Sequence, residues 1–158
     1  MLGGWQVSGI LSIYTGTPFY VTANGGSLNS PGSTQTADQI APVTYAHGIN
    51  VGNPWFTTAS FARTSNFIQG DTGRAIYSGP SLFALNASLS RTITIREGKA
   101  RLQLRLETLN STNTAQFSNP NTGFGSNFGF ITNTLSSGTG VNGTGGGRVV
   151  QLGAKVTF

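Results

Sequence analysis

The final stretch of the chain, residues 148–158, alternates in character, with Val149 the one apolar residue on the odd face. Val150, Leu152, Ala154, Val156 and Phe158 occupy the even positions, while Gln151, Gly153, Lys155 and Thr157 follow Val149 on the odd ones. A period of two is the signature of a β-strand with one apolar face. A strand of this length, tilted by about 45°, spans roughly 25 Å, the height of the apolar band around a transmembrane barrel. Residues 82–96 repeat the pattern, with Phe83, Leu85, Ala87, Leu89, Ile93 and Ile95 against Asn86, Ser88, Ser90, Thr92 and Thr94. Residues 100–110 continue it, with Ala100, Leu102, Leu104 and Leu106 against Arg101, Gln103, Arg105 and Glu107. A fourth strand is predicted over residues 4–14, where Trp5, Val7, Gly9, Leu11 and Ile13 share a face. Thr15-Gly16-Thr17-Pro18 then punctuates the chain, and Phe19–Ala23 could prolong that strand.

The phase of the middle pair is testable on paper. A two-residue turn at Glu97-Gly98 pairs Ile95 with Ala100, Ile93 with Leu102 and Leu89 with Leu106. It also sets Ser90 opposite Arg105 and Ser88 opposite Glu107. Like meets like along the whole hairpin. A slip of one residue would turn each set to the wrong face.

Two long loops, 24–80 and 111–147, separate the strands. One short turn alternating with long loops is the organisation of a transmembrane barrel, with short periplasmic turns and long external loops. The predicted fold class is therefore all-β: an antiparallel transmembrane β-barrel segment of about four strands with two long external loops. The barrel is incomplete, because even the small ones need about eight strands. An open edge in hydrocarbon leaves backbone groups unpaired, so the remaining wall must come from upstream chain or from other subunits.

Composition sharpens this picture. Only 8% of residues are charged, against about 25% in ordinary soluble domains, yet 37% are hydrophobic. The polarity comes from Ser, Thr, Asn and Gly, which suit a wet lumen or loops in water. Arg101, Arg105, Glu107 and Lys155 are the candidate lumen-facing charges. Arg91 falls on the predicted lipid face, where an arginine costs about 2–4 kcal/mol at the midplane and less near an interface. It lies near the turn and can snorkel toward headgroups. The formal net charge is +5, but the nine basic residues are scattered from Arg63 to Lys155, so no nucleic-acid partner is expected. With no cysteine, disulfide frameworks, thiolate metal sites and cysteine nucleophiles are excluded. No apolar run is long enough for a transmembrane helix, and the segment after Met1 lacks the features of a signal peptide. Either an export signal lies upstream on a longer chain, in which Met1 is an internal methionine, or the membrane reading is wrong.

These segments, in order along nearly the whole chain, resemble the late barrel of large TonB-dependent receptors of the Gram-negative outer membrane, the group with an N-terminal carboxypeptidase-regulatory-like domain. Gly3-Gly4-Trp5-Gln6-Val7-Ser8-Gly9 with Thr15-Gly16-Thr17-Pro18-Phe19 is similar to one of their strands. Trp55-Phe56 with Ala59 and Phe61 resembles a "WFNPAAF" loop, and Arg101–Glu107 with Asn110 resembles "LQFRAEAFN". Arg148, Gln151-Leu152-Gly153, Lys155 and Phe158 resemble a closing "RQIQLGLKLTF". The chain departs from the pattern at Asn86, where Asp is usual, and at Leu109, where Phe is. The resemblance implies a barrel of about 22 strands plugged by an N-terminal domain. It implies nutrient uptake energised through TonB, reached only by a plug this chain lacks. The partners it implies are the lipid bilayer, the rest of the barrel and the plug, and the barrel assembly machinery, which would read Phe158 as its signal. The chain alone is then a fragment and not transport-competent. The alternative reading is a secreted or surface soluble β-sandwich, a binding or adhesion module.

Sharper chemistry is outweighed at each place it surfaces. Asp71-Thr72-Gly73 matches an aspartic-protease triplet, but Gln69-Gly70 precede it where a hydrophobic strand belongs. Gly138-Thr139-Gly140-Val141-Asn142-Gly143 matches a dinucleotide fingerprint with no helix pattern behind it. His47 is the single histidine, so no histidine-pair metal site can form. No catalytic residue, metal ligand or cofactor is expected, and the chain is read as not an enzyme. Trp55, Phe56 and Phe61 are candidate ligand contacts in the first loop; packing of that loop is the simpler role.

Overall fold

The computed structural model describes residues 3–23, 35–50, 52–65, 67–95, 100–135 and 146–158. Its strands are β1 (Trp5–Tyr14), β2 (Pro18–Phe19), β3 (Asp38–Gln39), β4 (Phe61–Ala62), β5 (Tyr77–Ser78), β6 (Leu82–Ile95), β7 (Ala100–Leu109) and β8 (Val149–Thr157). The chain divides into two compact units. The first comprises Met1–Tyr14, Leu82–Gln116 and Leu135–Phe158; the second comprises Thr15–Ser81 and Phe117–Thr134.

The first unit is a four-stranded sheet in the order β1-β6-β7-β8, antiparallel throughout. The hairpin register is the one the alternation predicts: Ile95 opposes Ala100, Ile93 opposes Leu102, Leu89 opposes Leu106, Ser90 opposes Arg105 and Ser88 opposes Glu107. Glu97-Gly98 itself lies outside the described residues. Adding β1 and β8 extends the rows across the sheet. Val7, Leu89, Leu106 and Leu152 form one continuous apolar row. Ser8, Ser88, Glu107 and Gln151 form the adjacent polar row on the opposite face. Gly4 opens β1 with φ +85°, and its carbonyl accepts a hydrogen bond from the Thr92 amide (2.9 Å). A Cβ there would overlap the Thr92 carbonyl oxygen, so glycine is required twice over.

β6 outruns its partner. Its pairing with β7 stops at Ala87, while its pairing with β1 continues to Leu82. Side chains and a turn take over the missing ladder. The buried Gln116 side chain accepts a bond from the Phe83 amide (3.0 Å) and donates to the Phe83 carbonyl, reproducing a strand pair with one amide group. The Ser111 amide donates to the Leu85 carbonyl (2.7 Å). Asn110, left-handed at φ +50° and buried, donates its amide to Asn86 Oδ1 (2.9 Å). Its own side-chain amide donates to the carbonyls of Thr114 and Gly146. Asparagine is among the few residues that take this conformation readily.

The second unit has order where the sequence predicts only loop. β2 pairs with β5 and β3 with β4, and a 3-10 turn runs over Thr58–Ser60. Phe19, Val21, Ala37, Trp55, Phe56, Phe61, Tyr77 and Ile131 form its core. The expectation that Phe19–Ala23 prolongs the first strand is corrected: β1 ends at Tyr14, and Phe19 and Val21 are buried in the second unit. The proline at the head of β2 marks the break.

Candidate functional site: the two faces of the sheet

Large side chains on the apolar face of the sheet are exposed. Val7 is 77% exposed, Leu11 56%, Val150 56% and Leu152 80%. In a soluble sandwich a second sheet would bury these side chains. A contiguous apolar surface of this kind marks contact with a partner or with lipid. It runs the length of every strand and belongs to side chains of all four, as a barrel wall requires.

Arg91 on this face meets Trp5. The two residues are cross-strand partners, and the guanidinium carbon lies 5.0 Å from the indole centroid. The cation on the apolar face therefore rests against the negative face of an aromatic ring, an attraction of about 0.5–2 kcal/mol. Trp5 stands at the turn-side end of its strand. A tryptophan at a strand end, with a cross-strand arginine over its ring, fits the level of the headgroups, where amphipathic rings collect.

The opposite face carries the charges. Arg101, Gln103, Arg105 and Glu107 lie at alternate positions of β7, and Lys155 of β8 opposes Gln103. The structure thus brings Arg101, Arg105, Glu107 and Lys155 to a single face, as the alternation predicts. Arg105 Nη1 and Glu107 Oε1 are 3.1 Å apart. Both side chains are well exposed, so this pair contributes only about 0–1 kcal/mol in water. Gly153, opposite Arg105, leaves open space above the backbone. Gln103, Arg105, Glu107, Gln151, Gly153 and Lys155 line a shallow polar concavity. Sequence reading singled out its charges and passed over Gln103, Gln151 and Gly153. The same period of two that grouped the charges also placed these three among them.

The remaining candidates fall elsewhere. Trp55, Phe56 and Phe61 sit in the core of the second unit, each less than a tenth exposed. Phe56 stacks on Phe19 (5.7 Å between centroids) and meets Phe61 edge-on (5.4 Å), while Trp55 Nε1 donates to the Ser78 carbonyl (2.9 Å). As placed they pack the unit and present little surface to a ligand. Asp71 accepts a bond from the Gln39 amide (2.7 Å), and Thr72 donates to the Ala37 carbonyl (2.9 Å); the triplet is loop, with a bend at Asp71. The glycine motif at 138–143 lies outside the described residues. His47 is exposed and packs edge-on against Trp55 (4.7 Å). Phe158 follows β8 and is 98% exposed.

An antiparallel sheet with one bare apolar face and one polar face bearing charge defines a segment of membrane-barrel wall. The chain belongs to the outer membrane beta barrel domain family, whose match covers residues 1–151. Its place is the outer membrane. No match to it was found among curated proteins or among solved structures.

Proposed function

We propose that the chain supplies four adjacent strands of an outer-membrane receptor for TonB-energised nutrient uptake, a transport protein and not an enzyme. The observation that carries this reading is the order of the receptor-like segments on the sheet. Trp5–Tyr14, Leu82–Ile95, Ala100–Leu109 and Val149–Thr157 are consecutive neighbours, and the first, third and last hold the blocks that resemble receptor strands in that order. Four strands cannot close a barrel, and lipid does not tolerate open edges. Further strands and a plug complete the receptor, and the chain alone does not transport. In this reading Phe158 is the residue the assembly machinery recognises.

The test is retention on the purified periplasmic domain of TonB. The product of the complete reading frame, extracted from outer membranes in detergent, is expected to be retained, and a version truncated before Met1 is expected to flow through. Flow-through of both, with the protein still in the outer membrane, would replace the receptor with a TonB-independent barrel. Recovery of the protein in the soluble fraction would restore the sandwich.

A further inference from the structure

We propose that the polar face at the turn-side end of β7 and β8 is a recognition site for a small solute bearing two or more carboxylate or phosphate groups. The cations there are arranged, not scattered. Arg101 and Arg105 flank Gln103 on one strand, each about 6.6 Å away along the chain. Lys155 opposes Gln103 and is therefore a diagonal neighbour of both arginines, about 7–8 Å from each. Three cations thus surround one amide. Among the described residues the only acidic group on this face is Glu107, and it is engaged by Arg105. Arg101 and Lys155 form no ion pair among those residues. Among the described residues the local balance is two positive charges in excess: Arg101, Arg105 and Lys155 against Glu107.

The floor supports the same reading. Gly153 opposes Arg105, and a Cβ placed there would meet nothing within 4 Å. The notch beside it is lined by the Gln103 and Gln151 amides, whose N–H groups can donate to anionic oxygens. Guanidinium, ammonium and amide donors around a side-chain-free floor bind carboxylate and phosphate through charge-assisted bonds. Three cations this far apart are better matched by several anionic groups than by one. Away from this end the polar face is neutral: Ser8, Ser12, Ser88, Asn86 and Ala84 carry no charge. The site requires that this face line the barrel interior, which family membership supports, and does not depend on TonB.

The protein extracted from outer membranes in detergent, with its barrel closed, is titrated by calorimetry with pyrophosphate and with citrate, and with maltose as the neutral control. Saturable binding of one or both anions and none of maltose is expected, and which anion wins separates phosphate from carboxylate preference. The double variant Arg101→Gln, Lys155→Gln is expected to weaken binding at least tenfold. Gly153→Val, which fills the floor and keeps every charge, is expected to weaken it several-fold. Glu107→Gln is expected to tighten it, and Arg74→Gln, far along the chain in the other unit, to leave it unchanged. Absence of saturable binding, equal loss in Arg74→Gln, or indifference to Gly153→Val would overturn the proposal. Binding of an acidic peptide without either small anion would overturn it too, assigning the face to a protein partner. No TonB is present in the titration, so a negative result here leaves the receptor reading intact, and the retention assay is blind to this site.

Discussion

Gln116 illustrates how a single side chain can stand in for a strand. It is 2% exposed and bonds both backbone groups of Phe83, where β7 no longer reaches. Gln116→Leu keeps much of the volume and strands those two groups, so destabilisation of about 1–3 kcal/mol is expected in denaturant unfolding. Tyr77 offers a second test, in the other unit. Its hydroxyl donates to Gln39 Oε1 (2.8 Å), and its pKa is raised above 10.0 by burial first, then by Tyr45 and Asp71. The unfolded phenol ionises before the folded one. The contribution of Tyr77 is therefore intact below pH 10 and is lost as the pH climbs from there through the folded value. Tyr77→Phe should be less stable at neutral pH and show a shallower alkaline loss of near-ultraviolet circular dichroism.

The strands of the sheet were legible because period two is a one-dimensional signal, and a wrong phase would have exposed polar groups to the wrong face. Ile93 opposite Leu102 and Ser88 opposite Glu107 follow from the alternation alone. The second unit was not legible in this way. Its core joins Phe19, Trp55, Phe61, Tyr77 and Ile131, residues far apart in sequence with no common spacing. β2 to β5 are two residues each, too short for a period to show. Trp55 and Phe56 were visible as an aromatic pair, but an aromatic pair in a loop reads equally as ligand contact or as core. The anionic-ligand candidate was half visible: the charges stood out, while Gly153 meant something only once it faced Arg105. At this scale Phe56→Ala is expected to cost the second unit about 3–5 kcal/mol, seen as loss of its thermal transition. On the sheet, Leu106→Arg in the middle apolar row is expected to cost about 2–4 kcal/mol in lipid vesicles, because that row meets hydrocarbon. Thr92→Arg on the polar face should cost far less when both variants are unfolded by urea from the same vesicles.

For the molecule as a whole, one physical division organises the account: hydrocarbon against one face, water against the other. It explains the low charge content, the bare leucines and valines, and the tolerance of Ser, Thr and Gln on the opposite side. It also explains why Arg91 lies over Trp5, the first residue of β1. The chain has no cysteine, so single cysteines can be introduced one at a time along β8 and tagged with a fluorophore. In vesicles holding the closed barrel, nitroxide-bearing lipids are predicted to quench labels at 150, 152, 154 and 156. Water-soluble quenchers are predicted to reach those at 151, 153, 155 and 157. Quenching that ignores the alternation, or labels at the even positions shielded from lipid and water alike, would contradict the account.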